Sequence, residues 1–292
     1  MMNIKNVLLA TKRTALEYYR QKHDDPKGVL PSELLAKKKL EHEEHYNSFN
    51  NIKKILDKYH VSYQRIYMPY GAYEEYAGRD LVISIGGDGT VLNAAHYIHD
   101  KTPLLTVKSE GNSVGALCKI VASQFESTLI KLLDDKYSLE SWTRVEGKFG
   151  SKSDIALNEI VVARKDFKTA SYSMIFNEQC EEQRSSKILI STGAGSSGWY
   201  VNAGNMNQKF HPTSRELRFT VSESPVDRDY RMLHGHLYQG DTLEITSLMD
   251  FDGCILFDGG DDNNKRIYDF PIGKKLCVKI SDKPLSVVIP II

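Results

Sequence analysis

The order of apolar and polar positions divides the chain into two regions. In the first region four short apolar runs are separated by longer segments, and the runs are NVLLAT (6–11), VSYQRIYM (61–68), DLVISI (80–85) and PLLTV (103–107). The charged segment between the first two runs carries apolar residues at helical spacing, which predicts one or two helices. Strands that alternate with helices predict a parallel sheet with both faces covered.

After about residue 115 the pattern changes to short strand-like runs that follow one another closely. From residue 142 onward these runs are RVEGKF, IALNEIVVA, SYSMIF, KILIST, LRFTV, TLEITS, CILFDG, KLCVKI and LSVVIPI. Gly, Asp, Asn and Ser separate them at intervals typical of an antiparallel sandwich. We therefore predict an α/β domain over residues 1–115 and a β-rich sandwich domain over residues 116–280. We expect the last strand, at about 281–292, to return to the first domain.

Composition removes several classes of function. Lys+Arg and Asp+Glu both total 38, so the net charge of zero favours neither nucleic acid nor an anionic membrane as partner. The cysteines Cys118, Cys180, Cys254 and Cys277 form no CxxC pair, which argues against a disulfide framework or a thiolate metal site. No run approaches the roughly 20 apolar residues that span a bilayer. We predict a soluble, cytoplasmic protein.

The stretch SIGGDGT (84–90) follows an apolar run and precedes a segment with helical spacing. Its glycines allow backbone N–H groups to approach an anion, and a helix that begins near Asp88 points its N-terminus at the same place. The turn is therefore predicted to cradle phosphate at the carboxyl end of a strand. Asp88 is either an N-cap, a ligand for Mg²⁺, or the acceptor of a proton from an attacking hydroxyl. The complete strand–turn–helix pattern favours a functional role over the N-cap.

The sequence GGDGT after a hydrophobic strand resembles the signature of the NAD kinase superfamily, which includes diacylglycerol and sphingosine kinases. Phosphofructokinases carry a related loop. ALNEIVVAR (156–164) resembles the LNE block of NAD kinases, and KILISTGAGSSGWYVNAG (187–204) resembles their second glycine-rich block. FDGG (257–260) stands where that family often has DGQ. Lipid kinases do not share the LNE block, so the three blocks in order indicate an NAD kinase, most similar to the mitochondrial-type branch.

This resemblance implies a Rossmann-like or phosphofructokinase-like first domain and a reaction. The γ-phosphoryl group of ATP would pass to the 2′-hydroxyl of the adenosine ribose of NAD, giving NADP, with Mg²⁺ or another divalent cation on the donor phosphates. Asp88 is the expected catalytic base, because a ribose hydroxyl is a poor nucleophile near neutral pH. A homodimer or higher homo-oligomer is also implied. The predicted nucleotide contacts are Gly86, Gly87, Gly89, Thr90, Asn158, Glu159, Ser197, Gly198 and Asn202.

Several alternatives stay open at this point. Taken alone, Asn158–Glu159 is an ordinary turn pair and GAGSSG a flexible loop. Lys108 is either a phosphate ligand or a surface lysine. The sequence departs from the family pattern at Ser186, Gly193 and Ala194, which keeps a catalytically weak NAD(P)-binding sensor as an alternative, beside a lipid-kinase-like enzyme. HGH (234–236) is a weak metal candidate because no third ligand is evident, and no metal-ligating residue is predicted.

Overall fold

A computed structural model describes residues 4–22, 30–68, 71–109, 111, 114–204, 208–260 and 266–291 of the 292-residue chain. Its contacts divide the chain into two units, one formed by Met1–Glu140 with Ser286–Ile292 and the other by Ser141–Leu285. The division thus lies beyond residue 115, where the sequence pattern changes, and leaves a further helix with the first unit.

The first unit is built on a mainly parallel sheet. Its strands are β1 (Asn6–Lys12), β2 (Ser62–Met68), β3 (Leu81–Gly86), β4 (Leu104–Lys108), β5 (Ile120–Val121), β6 (Tyr137–Trp142) and β19 (Leu285–Pro290). The order is β2-β1-β3-β4-β19-β6, with β5 paired to β4, and β1 to β5 and β19 all pair in parallel. The predicted α/β class of this region is confirmed, and the last long strand lies beside β4 in the same sheet.

Five α-helices of the described ranges accompany this sheet, and each buries at least one side chain. They are α1 (Ala15–Lys22), α2 (Ser32–Lys58), α3 (Tyr73–Tyr76), α4 (Asp88–Tyr97) and α5 (Phe125–Leu133). In α2 the buried residues Phe49, Ile52 and Leu56 recur at helical spacing and join the core formed with β1 and β3. The stretch SELLAKKKLEHEEHYNSFNNIKKILDKYH (32–60), predicted to hold one or two helices, is the single helix α2 of 27 residues, and the short helix α1 lies before it.

The second unit consists of two six-stranded sheets. The first sheet has the order β11-β10-β15-β18-β7-β8 and the second the order β14-β13-β12-β9-β16-β17. Their strands are β7 (Val145–Phe149), β8 (Lys152–Ala156), β9 (Glu159–Arg164), β10 (Ala170–Phe176), β11 (Gln179–Ser185), β12 (Lys187–Ser191), β13 (Glu216–Ser222), β14 (His234–Tyr238), β15 (Leu243–Ser247), β16 (Gly253–Phe257), β17 (Ile267–Asp269) and β18 (Lys275–Ile280). One apolar core takes buried residues from both sheets, as a β-sandwich requires. The predicted β-rich class is confirmed.

Two details differ from the sequence pattern. The run IALNEIVVA, taken above as one strand-like segment, is split between β8 and β9, which belong to different sheets. The polar strand β11 gave no apolar signal, because it lies at a sheet edge and buries only Gln183 and Ser185. The first difference arises because both strands are buried where they meet, so the apolar run continues across the turn that separates them; the second arises because an edge strand buries few side chains.

Two global features bear on the environment of the protein. The cysteines Cys118, Cys180, Cys254 and Cys277 are all free thiols. None of the helices in the described ranges combines the length and hydropathy that a bilayer span requires.

Candidate functional site

The glycine turn of the first unit joins the end of β3 to the start of α4. Gly86 is the last residue of β3, Gly87 is the N-cap, and Asp88 is the first helical residue. A Cβ on Gly86 would lie 2.1 Å from Oγ1 of Thr90, so the buried Thr90 side chain can pack there only against a glycine. A Cβ on Gly89 would meet nothing within 4 Å, which leaves open space beside the first turn of α4.

The side chain of Asp88 turns away from its own helix and contacts the loop that follows β4. Its Oδ1 accepts a hydrogen bond from the Leu117 N–H at 2.8 Å, and its Oδ2 accepts one from the Ala116 N–H at 3.1 Å. Asp88 therefore does not cap α4, and both of its oxygens have fixed directions. Each oxygen keeps a second lone pair for another donor.

Lys108 ends β4 beside this loop. Its stem packs over Gly115, whose φ of +65° places it in the left-handed region that favours glycine. A Cβ on Gly115 would come within 2.9 Å of Cδ of Lys108. Lys108 is thus half-buried along its stem, and this packing is compatible with both roles considered from the sequence, a phosphate ligand and a surface lysine.

In the second unit the Asn-Glu pair lies on the turn between β8 and β9. The carboxylate of Asp258 accepts hydrogen bonds from three consecutive N–H groups of this turn, those of Leu157 at 2.9 Å, Asn158 at 2.6 Å and Glu159 at 3.3 Å. The N–H of Asp258 in turn donates to the carbonyl oxygen of Glu159 at 3.0 Å. Asp258 therefore determines the path of the turn. The FDGG resemblance was its sequence signal, although Asp258 was absent from the predicted contacts.

A buried arginine completes this arrangement. Arg266 Nη1 lies 3.1 Å from Oδ2 of Asp258, and the two side chains are 2% and 1% exposed. Arg266 Nη2 donates to the Ile155 carbonyl oxygen at 2.7 Å, and Tyr268 donates its hydroxyl to Asp154 at 2.9 Å. A charge this deep is tolerated because it is paired and hydrogen-bonded. No local sequence signal identifies Arg266, since its burial follows only from the pairing of β16 with β17.

The two predicted contacts on this turn carry polar atoms that lack partners. Among the residues that the structure describes, Oδ1 of Asn158 and Oε2 of Glu159 are buried with no hydrogen-bond partner. Burial raises the pKa of Glu159 to about 8, and the nearby Asp258 carboxylate adds to the rise while Arg266 opposes it. The Glu159 carboxyl is therefore mostly neutral at pH 7, and it can both donate and accept a hydrogen bond.

The second glycine-rich block folds against the same turn. The N–H of Thr192 donates to the Asn158 carbonyl oxygen at 2.8 Å, and its hydroxyl donates to the Leu157 carbonyl oxygen. A Cβ on Gly195 would lie 2.3 Å from the Asn158 carbonyl oxygen, so only glycine allows this approach. Sequence analysis missed Thr192, which stands beside the glycines. The two blocks thus form one packed unit.

The three predicted contacts of this block, Ser197, Gly198 and Asn202, lie on its outer side. The exposed Ser197 donates its hydroxyl to the Ala194 carbonyl oxygen at 3.4 Å. Gly198 precedes the short helix α6 (Trp199–Asn202), and Asn202 Nδ2 donates to its carbonyl oxygen at 3.0 Å. Of the two serines in GAGSSG, Ser196 is the buried one, with 1% exposure.

The positions where the sequence departs from the family pattern have local explanations. The backbone of Gly193 packs against that of His211, because a Cβ on Gly193 would lie only 2.0 Å from the His211 carbonyl oxygen. Ser186 donates its hydroxyl to the carboxylate of Glu223, which follows β13. An acidic side chain therefore lies next to Ser186, although it comes from a distant part of the sequence. Ala194 is buried at 3% exposure in the same turn.

The HGH stretch forms part of the edge strand β14. Nδ1 of His236 lies 3.5 Å from Oε2 of Glu216 on the neighbouring strand. Across the described ranges no group of three or more His, Cys, Asp or Glu side chains is placed to hold a metal ion. His234 and His236 are both exposed side chains of this edge strand.

Comparison with known proteins adds an independent line of argument. Residues 12–137 match the family model described as the ATP-NAD kinase N-terminal domain. A probable NADH kinase of Oryza sativa subsp. japonica is 31% identical over 212 residues, which cover 62% of this chain and 63% of the relative. An NAD kinase of Caldicellulosiruptor saccharolyticus is 34% identical over 127 residues, covering 43% of this chain and 48% of the relative. The chain therefore spans less than two thirds of the length of these relatives.

Two solved structures share the fold. An NAD kinase from Archaeoglobus fulgidus, in complex with ATP, superposes with a TM-score of 0.69 at 17% identity and covers 97% of this chain and 92% of its own. A yeast NADH kinase complexed with NADH superposes with a TM-score of 0.73 at 14% identity, over 98% of this chain and 84% of its own. At these identities the likeness concerns the fold.

Proposed function

We propose that this chain is an NAD kinase, which transfers the γ-phosphoryl group of ATP to the 2′-hydroxyl of the adenosine ribose of NAD and forms NADP. One observation carries the proposal: Oδ1 of Asn158 and Oε2 of Glu159 are buried without a partner among the described residues. Buried polar atoms require partners, and the hydroxyl and amino groups of a nucleotide provide them.

Asp88 acts as the general base of this reaction. It takes the proton of the 2′-hydroxyl while that oxygen forms its bond to the γ-phosphorus and the bond from the γ-phosphorus to the β,γ-bridging oxygen breaks. The hydrogen bonds from Ala116 and Leu117 orient the carboxylate and leave one lone pair free on each oxygen. A positioned carboxylate of this kind contributes about 10²-fold to 10⁴-fold to the rate.

The start of α4 binds the phosphates. The N–H groups of Asp88 and Gly89 lie in the first turn, where no preceding helical carbonyl can accept from them. Gly86 and Thr90 pack the turn closely, Gly87 caps the helix, and the open space at Gly89 admits the phosphate oxygens. Mg²⁺ or another divalent cation would be held chiefly by the phosphates of ATP and would neutralise the charge that develops during transfer.

The Asn-Glu turn recognises the nucleotide. Glu159 in its neutral form donates one hydrogen bond and accepts another, while the amide of Asn158 offers both functions as well. This combination suits a vicinal diol or an adenine edge. Ser197, Gly198 and Asn202 complete the proposed contacts from the outer side of the second block.

The test is NADP formation by the purified protein with NAD, ATP and Mg²⁺, coupled to an NADP-specific dehydrogenase. Asp88→Asn is assayed in parallel, with NAD binding measured by calorimetry for both proteins. We expect the variant to bind NAD with little change and to lose about 10²-fold to 10⁴-fold in kcat. Full kcat in Asp88→Asn would exclude Asp88 as the base.

The alternative functions are separate outcomes of the same assay. Tight NAD(P) binding without phosphoryl transfer, whatever the donor or metal, would favour a sensor. Phosphorylation of a diacylglycerol or a sphingoid base in place of NAD would favour a lipid-kinase-like enzyme. The second outcome conflicts with the Asn-Glu turn, which offers polar groups where a lipid acceptor needs an apolar surface.

We further propose that the protein acts as a homodimer or higher homo-oligomer in the reducing environment of the cytoplasm. Four free thiols suit a reducing compartment. Sedimentation velocity at micromolar concentration tests the first part, and a single monomeric species would contradict it. Localisation of a fluorescent fusion tests the second part.

A further inference from the structure

Ser109 follows β4 directly and makes three hydrogen bonds within the first unit. Its N–H donates to the Gly86 carbonyl oxygen at 3.1 Å. Its carbonyl oxygen accepts from Ser48 Oγ at 2.8 Å, and its own Oγ lies 2.8 Å from Nδ1 of His45. Because His45 and Ser48 belong to α2, this single residue links that helix to the first glycine of the phosphate turn.

His45 is fully buried in α2 and has 0% exposure. Burial, together with the charges of Lys12 and Arg65, lowers the pKa of His45 to about 4, whereas Glu17 raises it. The ring is therefore neutral near pH 7 and has one donor and one acceptor nitrogen. Nδ1 bonds to Ser109, while Nε2 has no partner among the described residues. A buried imidazole with a single hydrogen bond lowers the stability of the fold, and side chains of this kind are typical of functional sites.

Asp88 stands two residues after Gly86, and backbone N–H groups hold its side chain. Ala116 and Leu117 donate their N–H groups to the two carboxylate oxygens. Leu117 is itself fixed, because its carbonyl oxygen accepts from Thr106 Oγ1 at 2.9 Å. Ser109 therefore contacts Gly86, while Ala116 and Leu117 contact Asp88, at the two sides of the phosphate turn.

We propose that His45 and Ser109 form a clamp that positions Asp88 for proton transfer by holding Gly86, two residues before Asp88. Its kinetic part rests on the proposed kinase function. Both are positioning residues, since they act on the phosphate turn and not on substrate. Without the clamp Gly86 shifts together with the start of α4, and the Asp88 carboxylate loses its alignment with the two amides. Proton transfer depends steeply on geometry, so the loss falls on kcat and not on KM.

Three variants of the full chain test the clamp. Ser109→Ala removes the hydroxyl with little change in volume. His45→Asn keeps a hydrogen-bonding group near the place of Nδ1, whereas His45→Leu fills the site without one. Ser127→Ala is the matched control, because its hydroxyl donates to the Gln124 carbonyl oxygen at the start of its own helix, away from the clamp.

The expected kinetic result separates the hydrogen bond from packing. In Ser109→Ala we expect kcat to fall by about tenfold to 100-fold, with KM for NAD and ATP within about twofold of wild type. His45→Asn retains kcat within about threefold, whereas His45→Leu loses it as Ser109→Ala does. Thermal unfolding confirms that each assayed variant is folded, and if His45→Leu does not fold, Ser109→Ala carries the test.

Hydrogen exchange gives a readout that does not depend on catalysis. In Ser109→Ala the amides of Ala116 and Leu117 exchange at least about tenfold faster, while a peptide from β9 is unchanged. If the wild type makes no NADP, the kinase function fails and the exchange result still decides the clamp. Unchanged exchange at these two amides, or equal kcat in folded His45→Asn and His45→Leu, would overturn it.

Discussion

Two carboxyl groups occupy the two turns assigned to chemistry, and their surroundings are opposite. Asp88, in the first unit, is half-buried, and each of its oxygens accepts a backbone N–H. Glu159, in the second unit, is 5% exposed, and its Oε2 is buried with no partner among the described residues. Burial raises the pKa of Glu159 to about 8.

The difference shows how one functional group is prepared for two tasks. Backbone donors satisfy and orient the oxygens of a carboxylate, which a general base requires. Burial without donors favours the neutral acid, which can donate as well as accept when it recognises a nucleotide. Asp258 is a third case, since it is as buried as Glu159 but has three amides and Arg266 as partners.

The largest stability effect should come from removing the fully partnered acid. Asp258→Ala leaves the Arg266 guanidinium buried without its nearest carboxylate, so we expect a loss of about 3–5 kcal/mol in the free energy of unfolding. Urea unfolding followed by tryptophan fluorescence measures it, because Trp199 lies in the second unit and Trp142 ends β6, where the chain passes from the first unit to the second. Asp269→Ala, which removes an exposed partner of Lys165, is the control and should cost less than about 1 kcal/mol.

The unpartnered acid should have a pH signature. The native state keeps a proton on Glu159 up to its pKa of about 8, whereas the unfolded chain releases that proton above its ordinary value of 4.5. Stability therefore falls as pH rises between these values. Glu159→Gln has no such proton, so its advantage over wild type should grow by at least about 2 kcal/mol between pH 5 and pH 8. Parallel unfolding curves at both pH values would contradict the buried neutral acid.

The packing of the second block on the Asn-Glu turn predicts a smaller effect. In Gly195→Ala the new Cβ would stand 2.3 Å from the Asn158 carbonyl oxygen, and the backbone must move. We expect a loss of about 1–3 kcal/mol and a raised KM for NAD. Gly198→Ala in the same block is the control for stability alone, because its Cβ would meet its nearest atom at an ordinary 3.4 Å while Gly198 is itself a proposed nucleotide contact. Equal losses of stability in the two variants would show that the contact is not specific.

The smallest change in stability is expected at the open side of the first turn. Gly89→Ala adds a Cβ that meets nothing within 4 Å, at a helical position where alanine is favoured by up to about 1 kcal/mol. The variant should therefore be as stable as wild type or slightly more so, yet its KM for ATP should rise because the methyl group enters the space assigned to phosphate. Unchanged KM would place the phosphates elsewhere.

The sequence determined the fold class and the position of the first turn. Buried parallel strands are continuous apolar runs, so β1, β3 and β4 were identified with small errors at their ends. The change from β3 to α4 was visible because glycine and helical spacing are local signals. The same locality let the polar pair Asn158–Glu159 stand out between apolar residues.

Only the tertiary structure decided what the side chains at these turns contact. Asp88 is bonded by residues 28 and 29 positions away, and Asp258 reaches a turn about 100 positions earlier. The burial of Arg266 and the splitting of IALNEIVVA between two sheets likewise depend on strand order. Hydrophobic spacing is set within one element, whereas the burial of a charge and the partners of a carboxylate depend on elements that the chain brings together from far apart, and no local pattern encodes them.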